Sequence, residues 1–141
     1  MKYLLDTCVV SELIKPKPNK KVLNWIAAQN ENKLYISVLT FAEIEKGIEK
    51  ASDQIRKKRL KLWVEDDLKQ RFEGKIFPID LHIATKWGEM HALSELAGCP
   101  MPIIDGLIAI SGLINGCVVV TRNTSDMKFS SVALLNPWIE A

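Results

Sequence analysis

The chain of 141 residues contains 19 Lys and Arg against 17 Asp and Glu, so its formal net charge is only +2. Hydrophobic residues make up 48% and charged residues 26% of it. This balance is typical of a single globular domain over residues 1–141 and excludes an intrinsically disordered chain. The small net charge also excludes nucleic-acid binding through global charge alone, so an anionic partner requires a local patch or a bound cation.

Strands and helices are predicted to alternate along the chain, from runs of apolar residues, their periodicity and the capping residues that flank them. The predicted strands cover residues 2–5, 34–38, 76–79, 117–121 and 133–135. The predicted helices cover residues 7–14, 20–29, 40–50, 53–72, 80–96 and 104–114. Alternation of this kind predicts an α/β fold with three layers, α/β/α, around a central, mostly parallel sheet of four or five strands.

Two of the predicted helices begin at or near a threonine. Thr7 is predicted to cap the first helix, and Thr40 is predicted to open the third. Glu43 follows Thr40 by three residues, which is the spacing of a capping box. In the long helix at 53–72, apolar side chains recur every four residues and predict one buried stripe. The members of this stripe are Leu60, Val64, Leu68 and Phe72.

The three cysteines, Cys8, Cys99 and Cys117, form no CxxC pair and no zinc-like spacing with histidine. Their odd number and apolar neighbours predict reduced, buried thiols in a cytoplasmic protein. The N-terminus shows no signal-peptide pattern. The apolar run at residues 103–120 contains Asp105 and a central Asn-Gly pair, so it predicts a buried helix and strand rather than a membrane span.

Four acidic residues, Asp6, Glu43, Asp105 and Asp126, stand near predicted strand ends and helix starts. Asp6 ends the first strand, and Asp126 follows the strand at residues 117–121. Ligands of open α/β sheets bind beyond the carboxyl ends of the strands, where these residues are expected to meet. Each also has a purely structural interpretation, as a helix cap, a capping-box member or a loop residue. Their combination favours a site.

Carboxylates gathered at one rim repel each other and raise one another's pKa, and a divalent cation removes that penalty. Mg²⁺ or Mn²⁺ is the expected ion, because both prefer oxygen ligands. Such an ion activates water and neutralises charge that develops on a phosphodiester. The hydroxyls of Thr7 and Thr121 and the amide of Asn123 are candidates to hold its waters. Direct attack by water is the expected mechanism, since no side chain offers a convincing nucleophile.

Four segments, each containing one of the four acidic residues, resemble the PIN-domain family, particularly the VapC-type toxins of bacterial toxin–antitoxin modules. The closing LNPW at 135–138 resembles the tail of its FitB-like branch. The resemblance extends over almost the full chain in the right order. The segments are YLLDTCVVSE (3–12), SVLTFAEIEKG (37–47), PIIDGLIA (102–109) and TRNTSDMKF (121–129).

The resemblance implies a metal-dependent endoribonuclease in which Asp6, Glu43 and Asp105 are catalytic residues that hold Mg²⁺ or Mn²⁺. The family often has Asp at the position of Asn123, so either Asn123 or Asp126 completes the catalytic set. One missing charge weakens a second metal site more than the first, and we expect one firmly bound ion. The resemblance further implies a homodimer and a cognate VapB-like antitoxin that blocks the acidic pocket and supplies all DNA binding.

Basic residues give two candidate contacts for RNA phosphates. The run at residues 56–59 with Lys61 contains no aromatic residues that could stack on bases, which favours a solvated helix face. Arg122 follows a strand near the expected pocket and is a supporting candidate for a phosphate contact, with structural pairing to an acidic residue as the alternative.

Two other functions stay open. One is a non-catalytic module that uses its acidic pocket to bind a partner or an ion, and Asn123 is the feature that supports it. The other is phosphoryl chemistry on a receiver-like or phosphatase-like fold. Cys8 argues against the latter, because it occupies the second position of the DxD pair that such phosphatases carry.

Overall fold

A sheet of five parallel strands forms the centre of residues 1–139, the part of the chain that the computed structural model describes. Its strand order is β3-β2-β1-β4-β5, and every strand pairing in it is parallel. The predicted α/β fold with a central parallel sheet is confirmed. The strands are β1 (Lys2–Leu5), β2 (Leu34–Ser37), β3 (Ile76–Phe77), β4 (Cys117–Val120) and β5 (Leu134–Leu135).

Helices connect successive strands and cover the sheet. A π-helical segment, Val64–Leu68, joins α4 to α5, and 3₁₀ turns occur at Glu31–Lys33 and Lys128–Ser130. The α-helices are α1 (Thr7–Glu12), α2 (Lys20–Ala28), α3 (Val38–Lys50), α4 (Gln54–Trp63), α5 (Lys69–Arg71), α6 (Leu81–Leu96), α7 (Ile103–Ile114) and α8 (Thr124–Met127).

Helix starts differ from the predictions at two places that matter for the site. Asp6, not Thr7, caps α1, because its Oδ1 accepts a hydrogen bond from the Thr7 backbone N–H at 2.8 Å. Ser37, not Thr40, caps α3, which begins immediately after β2. The predicted capping box is therefore wrong, and Thr40 and Glu43 lie inside the helix with side chains free for other contacts.

The predicted long helix at 53–72 is present as the continuous run α4, π segment and α5. Asp53 caps it, accepting from the backbone N–H groups of the first turn. The predicted stripe is confirmed, with Val64, Leu68 and Phe72 buried and Leu60 half-buried, and Leu68 and Phe72 pack in the apolar cluster on the sheet. The π segment was not predicted, because a four-residue apolar repeat fits an α-helix equally well.

The strands alternate their side chains between two apolar clusters, one on each face of the sheet. Leu5 and Val120 pack with α1, α2 and the π segment on one face. Leu4 and Val119 pack with α7 and α8 on the other, and α6 lies against α7. These faces give the predicted three layers, and the carboxyl ends of β1 and β4 meet at one edge between them.

The cysteines only partly match their prediction. All three are free thiols and Cys117 is buried, but Cys8 is half-buried and Cys99 is exposed. The prediction of three buried thiols is therefore wrong for two of them, because local apolar sequence does not show where a loop such as the one after α6 meets solvent. Within residues 1–139, no helix combines the length and apolar character needed to cross a membrane.

Candidate active site

Asp6 is held at the carboxyl end of β1 by a set of hydrogen bonds to its own carboxylate. Its side chain is 2% exposed. Oδ1 accepts from the Thr7 backbone N–H, and Oδ2 accepts from the Thr121 hydroxyl at 2.7 Å. Burial raises the pKa of Asp6, and these hydrogen bonds partly offset that effect by favouring the charged form. The carboxylate is thus fixed in one orientation before any ligand binds.

Thr121 and Cys8 surround the same carboxylate. Thr121 follows β4, and its Oγ1 also accepts from the Asn123 backbone N–H at 2.9 Å. The Cys8 Sγ lies 3.6 Å from Asp6 Oδ2 and 3.7 Å from Thr121 Oγ1. Burial, with the charge of Asp6, raises the pKa of Cys8 to about 11. Cys8 therefore contacts Asp6 as a neutral thiol and a weak donor.

Glu43 is oriented from the neighbouring helix by Thr7. The Thr7 hydroxyl donates to Glu43 Oε1 at 2.6 Å and lies 3.0 Å from the hydroxyl of Thr40, which is fully buried. Thr7 thus joins α1 to α3 through its hydroxyl, while its own backbone N–H donates to Asp6. The structure brings Asp6 and Glu43 together through Thr7, in line with the predicted rim.

Asp105 lies in the first turn of α7, and its surroundings differ from those of Asp6. Pro102 is the N-cap residue of α7, so Asp105 does not cap the helix. Burial raises the pKa of Asp105 to about 6, assisted in turn by the negative charges of Asp6, Asp126 and Glu43. These three charges act on Asp105 from three different elements, so all four predicted carboxylates share one electrostatic neighbourhood.

The remaining predicted residues occupy the rim after β4. Asn123 is half-buried and precedes α8, but its side chain does not cap that helix. Asp126 is exposed in α8. The guanidinium of Arg122 is also exposed and lies 4.4 Å from the centre of the Trp138 ring. This cation–π contact holds Arg122 against the tail, and its predicted contact with a phosphate stays a prediction.

A divalent cation fits the chemistry of this site. The carboxylates offer hard oxygen donors, and none of the ion pairs within residues 1–139 involves any of the four. No three His, Cys, Asp or Glu side chains of the described chain stand close enough to enclose an ion by themselves. Mg²⁺ commonly takes only one or two carboxylates and keeps several waters. The donor set therefore suits an ion that keeps several of its waters.

Two contacts of the site were not predicted. The sequence interpretation makes Thr40 a helix start, and makes Cys8 a buried thiol that stands at the second Asp position of a DxD pair. Both functional contacts join residues far apart in sequence, 33 positions for Thr40 with Thr7 and 113 for Cys8 with Thr121. A local pattern does not contain such pairings, although the position of Cys8 two residues after Asp6 is a signal that could have been followed.

Comparison with known proteins decides the family. The PIN domain pattern matches residues 3–134, nearly the whole chain. The chain belongs to the PIN domain family. The predicted resemblance is therefore confirmed, and the rim formed by Asp6, Glu43 and Asp105 lies on a PIN domain.

Relatives of this PIN domain are similar over nearly their full lengths. VapC ribonuclease Y4jK from Sinorhizobium fredii is 32% identical over 135 residues, which are 96% of both chains. Toxin FitB from Neisseria gonorrhoeae is 30% identical over 135 residues, covering 96% of this chain and 97% of that one. The crystal structure of FitAcB from Neisseria gonorrhoeae superposes with a TM-score of 0.93 at 30% identity, covering 98% and 99% of the two chains.

Proposed function

We propose that this PIN domain is a Mg²⁺- or Mn²⁺-dependent endoribonuclease that acts as the toxin of a VapBC-type toxin–antitoxin system in the cytoplasm. The observation that carries the proposal is the half-buried position of Asp105 among three other carboxylates. Three other carboxylates act on it, and within residues 1–139 no Lys or Arg is paired with any of the four. A bound cation relieves this repulsion. The names of the ribonuclease and toxin relatives support the same function.

The side chains divide the work of the proposed reaction. Asp6, Asp105 and Glu43 would hold the ion, in part through its bound waters, with Asp6 fixed by Thr121 and Glu43 fixed by Thr7. When bound there, such an ion would lower the pKa of a water and neutralise charge that develops on the scissile phosphate. Asp126 and Asn123 complete the rim beside Asp105, where they orient waters by accepting their hydrogen bonds. Arg122 is positioned after β4 to contact a phosphate.

A groove beside Glu43 suits a peptide segment of the cognate antitoxin. The groove has a volume of about 320 Å³ and runs between α1, α3 and α4, with Thr7 and Glu43 among its lining residues. Its apolar lining includes Ile44, Ile48 and Leu60. An apolar side chain of the antitoxin fits this floor, and a basic side chain beside it reaches the carboxylates. In this proposal the antitoxin makes the DNA contacts, and the toxin forms a homodimer.

Cleavage of RNA by the purified protein tests the proposal. The wild type is expected to cut single-stranded RNA with Mn²⁺ or Mg²⁺, and to stop when EDTA is added. Asp6→Asn and Asp105→Asn are each expected to lower the rate at least about 100-fold, because each removes a charged ligand of the ion. Asp67→Asn, an exposed position on the π segment, is the matched control and keeps full activity.

Growth arrest in cells separates catalysis from the alternative of a non-catalytic binding module. That alternative is favoured by one observation, the neutral Asn123 at the rim after β4. Loss of arrest in Asp6→Asn and Asp105→Asn, together with loss of RNA cleavage, supports the nuclease. Unchanged arrest in both variants would support the binding module instead.

A further inference from the structure

A second cavity, of about 340 Å³, lies beside the carboxylate rim. We call it the side cavity. One wall is formed by residues 99–101, in the connection between α6 and α7. The opposite wall is formed by Ser125, Asp126, Lys128 and Phe129, in α8 and the 3₁₀ turn that follows it. Among these residues only Asp126 has a part in the proposed reaction.

Asp126 and α7 connect the side cavity to the proposed reaction centre. Asp126 lines the cavity, and its charge acts on Asp105. On the other wall, Met101 lies just before α7, whose first turn carries Asp105. A ligand group in the cavity is therefore adjacent to the metal-binding side chains without displacing them.

Both walls are fixed by buried serine hydroxyls. Ser94 is fully buried, and its hydroxyl accepts from the backbone N–H of Met101 at 3.4 Å. Ser130 is 1% exposed, donates to the Met127 carbonyl at 2.6 Å, and accepts from the backbone N–H of Val132 at 3.2 Å. Ser131 then takes a left-handed conformation with φ of 66°, which costs free energy for a residue other than glycine. The cavity is thus built before a ligand arrives.

The chemistry of the lining matches a nucleotide. Phe129 is half-buried and offers an aromatic ring, on which any base can stack. Ser125 and Asp126 offer a hydroxyl and a carboxylate for the polar edge of a base. Lys128 is exposed and contributes a positive charge, which suits a phosphate next to that base.

We propose that the side cavity is a nucleobase subsite, which takes the base adjacent to the scissile phosphate of single-stranded RNA. Phe129 stacks on the base, Ser125 contacts its edge, and Lys128 pairs with the adjoining phosphate. This proposal rests on the proposed ribonuclease function and adds to it the contact that positions the strand over the metal-binding carboxylates.

A thermodynamic cycle between protein and RNA tests the subsite. Short RNAs with one abasic nucleotide, placed at successive positions, are compared with the intact RNA for cleavage. The same RNAs are compared for binding by fluorescence anisotropy in EDTA, where the metal-dependent reaction does not run and the RNA stays intact. Wild type is measured beside Phe129→Ala and Phe129→Leu, since Leu keeps an apolar side chain and removes only the aromatic face.

On intact RNA, both Phe129 variants are expected to bind about 10-fold more weakly, the loss of one base–aromatic contact. One abasic position should weaken wild-type binding by a similar factor, and there the variants should lose nothing further. Phe77→Leu, at another half-buried phenylalanine in β3, is the control for the cost of the substitution to folding and should bind as wild type.

Two results would overturn the subsite. One is unchanged binding of intact RNA by both Phe129 variants. The other is that the loss of binding from the Phe129 substitution adds to the loss from the abasic nucleotide at every position. Either result leaves the ribonuclease function standing if the wild type cleaves RNA. A wild type that binds with the expected cycle but cleaves nothing would refute the nuclease and retain the nucleobase site.

Discussion

Asp6 and Asp105 lie on the same rim but differ in burial and in the hydrogen bonds that their carboxylates receive. Asp6 is almost fully buried and is supplied with hydrogen bonds from the Thr7 backbone, Thr121 and Cys8. Asp105 is half-buried, and burial and three negative charges raise its pKa to about 6. The pKa of both carboxyls is raised, but hydrogen bonds partly offset the effect of burial at Asp6, whereas at Asp105 burial and repulsion act together. In the proposed site, Asp6 would therefore be a ligand that is oriented before the cation binds, whereas Asp105 would need the cation to offset its surroundings.

Among the substitutions that test this difference, Thr121→Val is expected to change stability most. It removes the hydroxyl donor of Asp6 without changing the shape of the side chain. A buried carboxylate that loses a donor costs about 2 kcal/mol, so the free energy of unfolding should fall by about that amount. RNA cleavage should also fall, because Asp6 is no longer held in one orientation. Urea denaturation measures the first quantity and initial rates the second.

Thr121→Ser is the matched control, since it keeps the hydroxyl and should retain most of the stability and activity. A Val variant that is as stable and active as the Ser variant would show that Asp6 does not need its donor. Asp6 and Asp105 would then be alike, and the contrast between them would fail.

Asp105→Asn is expected to change stability less, and to increase rather than decrease it, in the metal-free protein. A carboxyl whose pKa is raised by folding binds its proton more tightly in the folded state, so ionisation destabilises the fold. Stability should therefore fall as pH rises from the ordinary pKa of 3.8 to about 6, and stay low above it. At pH 7.5, Asp105→Asn should stabilise the metal-free protein by about 1 kcal/mol, a value discounted for partial solvent exposure.

Thermal or urea denaturation in EDTA at pH 7.5 and at pH 4 checks this prediction. The gain from Asp105→Asn should disappear at pH 4, where the wild-type carboxyl is protonated. Asp6→Asn should gain less at pH 7.5, because the amide cannot satisfy all the donors arranged around Asp6. Equal gains for both variants would remove the distinction between the two carboxylates.

The smallest effect is expected from Cys8→Ser. The thiol is a weak donor at 3.6 Å from Asp6, so a hydroxyl in its place should change stability by less than about 0.5 kcal/mol. Cleavage should be nearly unchanged. A large loss of cleavage at unchanged stability would show that sulfur itself contributes at the site.

The sequence contained enough information for the positions of Asp6 and Asp105 but not for the way each is held. An apolar strand that ends in Asp6, and an apolar helix that begins near Asp105, place both residues at the strand ends of a parallel sheet. The donors of Asp6 are different, because the Thr121 hydroxyl comes from 115 positions away and reaches it only through the pairing of β1 with β4. Such contacts follow from strand order, which periodicity does not specify.

The errors at helix starts have a local cause. The segment from Ser37 to Thr40 offers two hydroxyl residues that can each cap a helix, and only the end of β2 decides between them. Because Ser37 takes the cap, Thr40 turns inward and contacts Thr7. The mistaken capping box therefore concealed the network that orients Glu43.

Calorimetric titration of the metal-free protein with Mn²⁺ tests the central claim most directly, namely that Asp6, Asp105 and Glu43 bind a cation. The wild type should bind one ion firmly, Asp105→Asn should lose that binding, and Asp67→Asn should keep it. Two equally tight ions, or firm binding that survives Asp105→Asn, would contradict the claim that repulsion at Asp105 is relieved by a single metal.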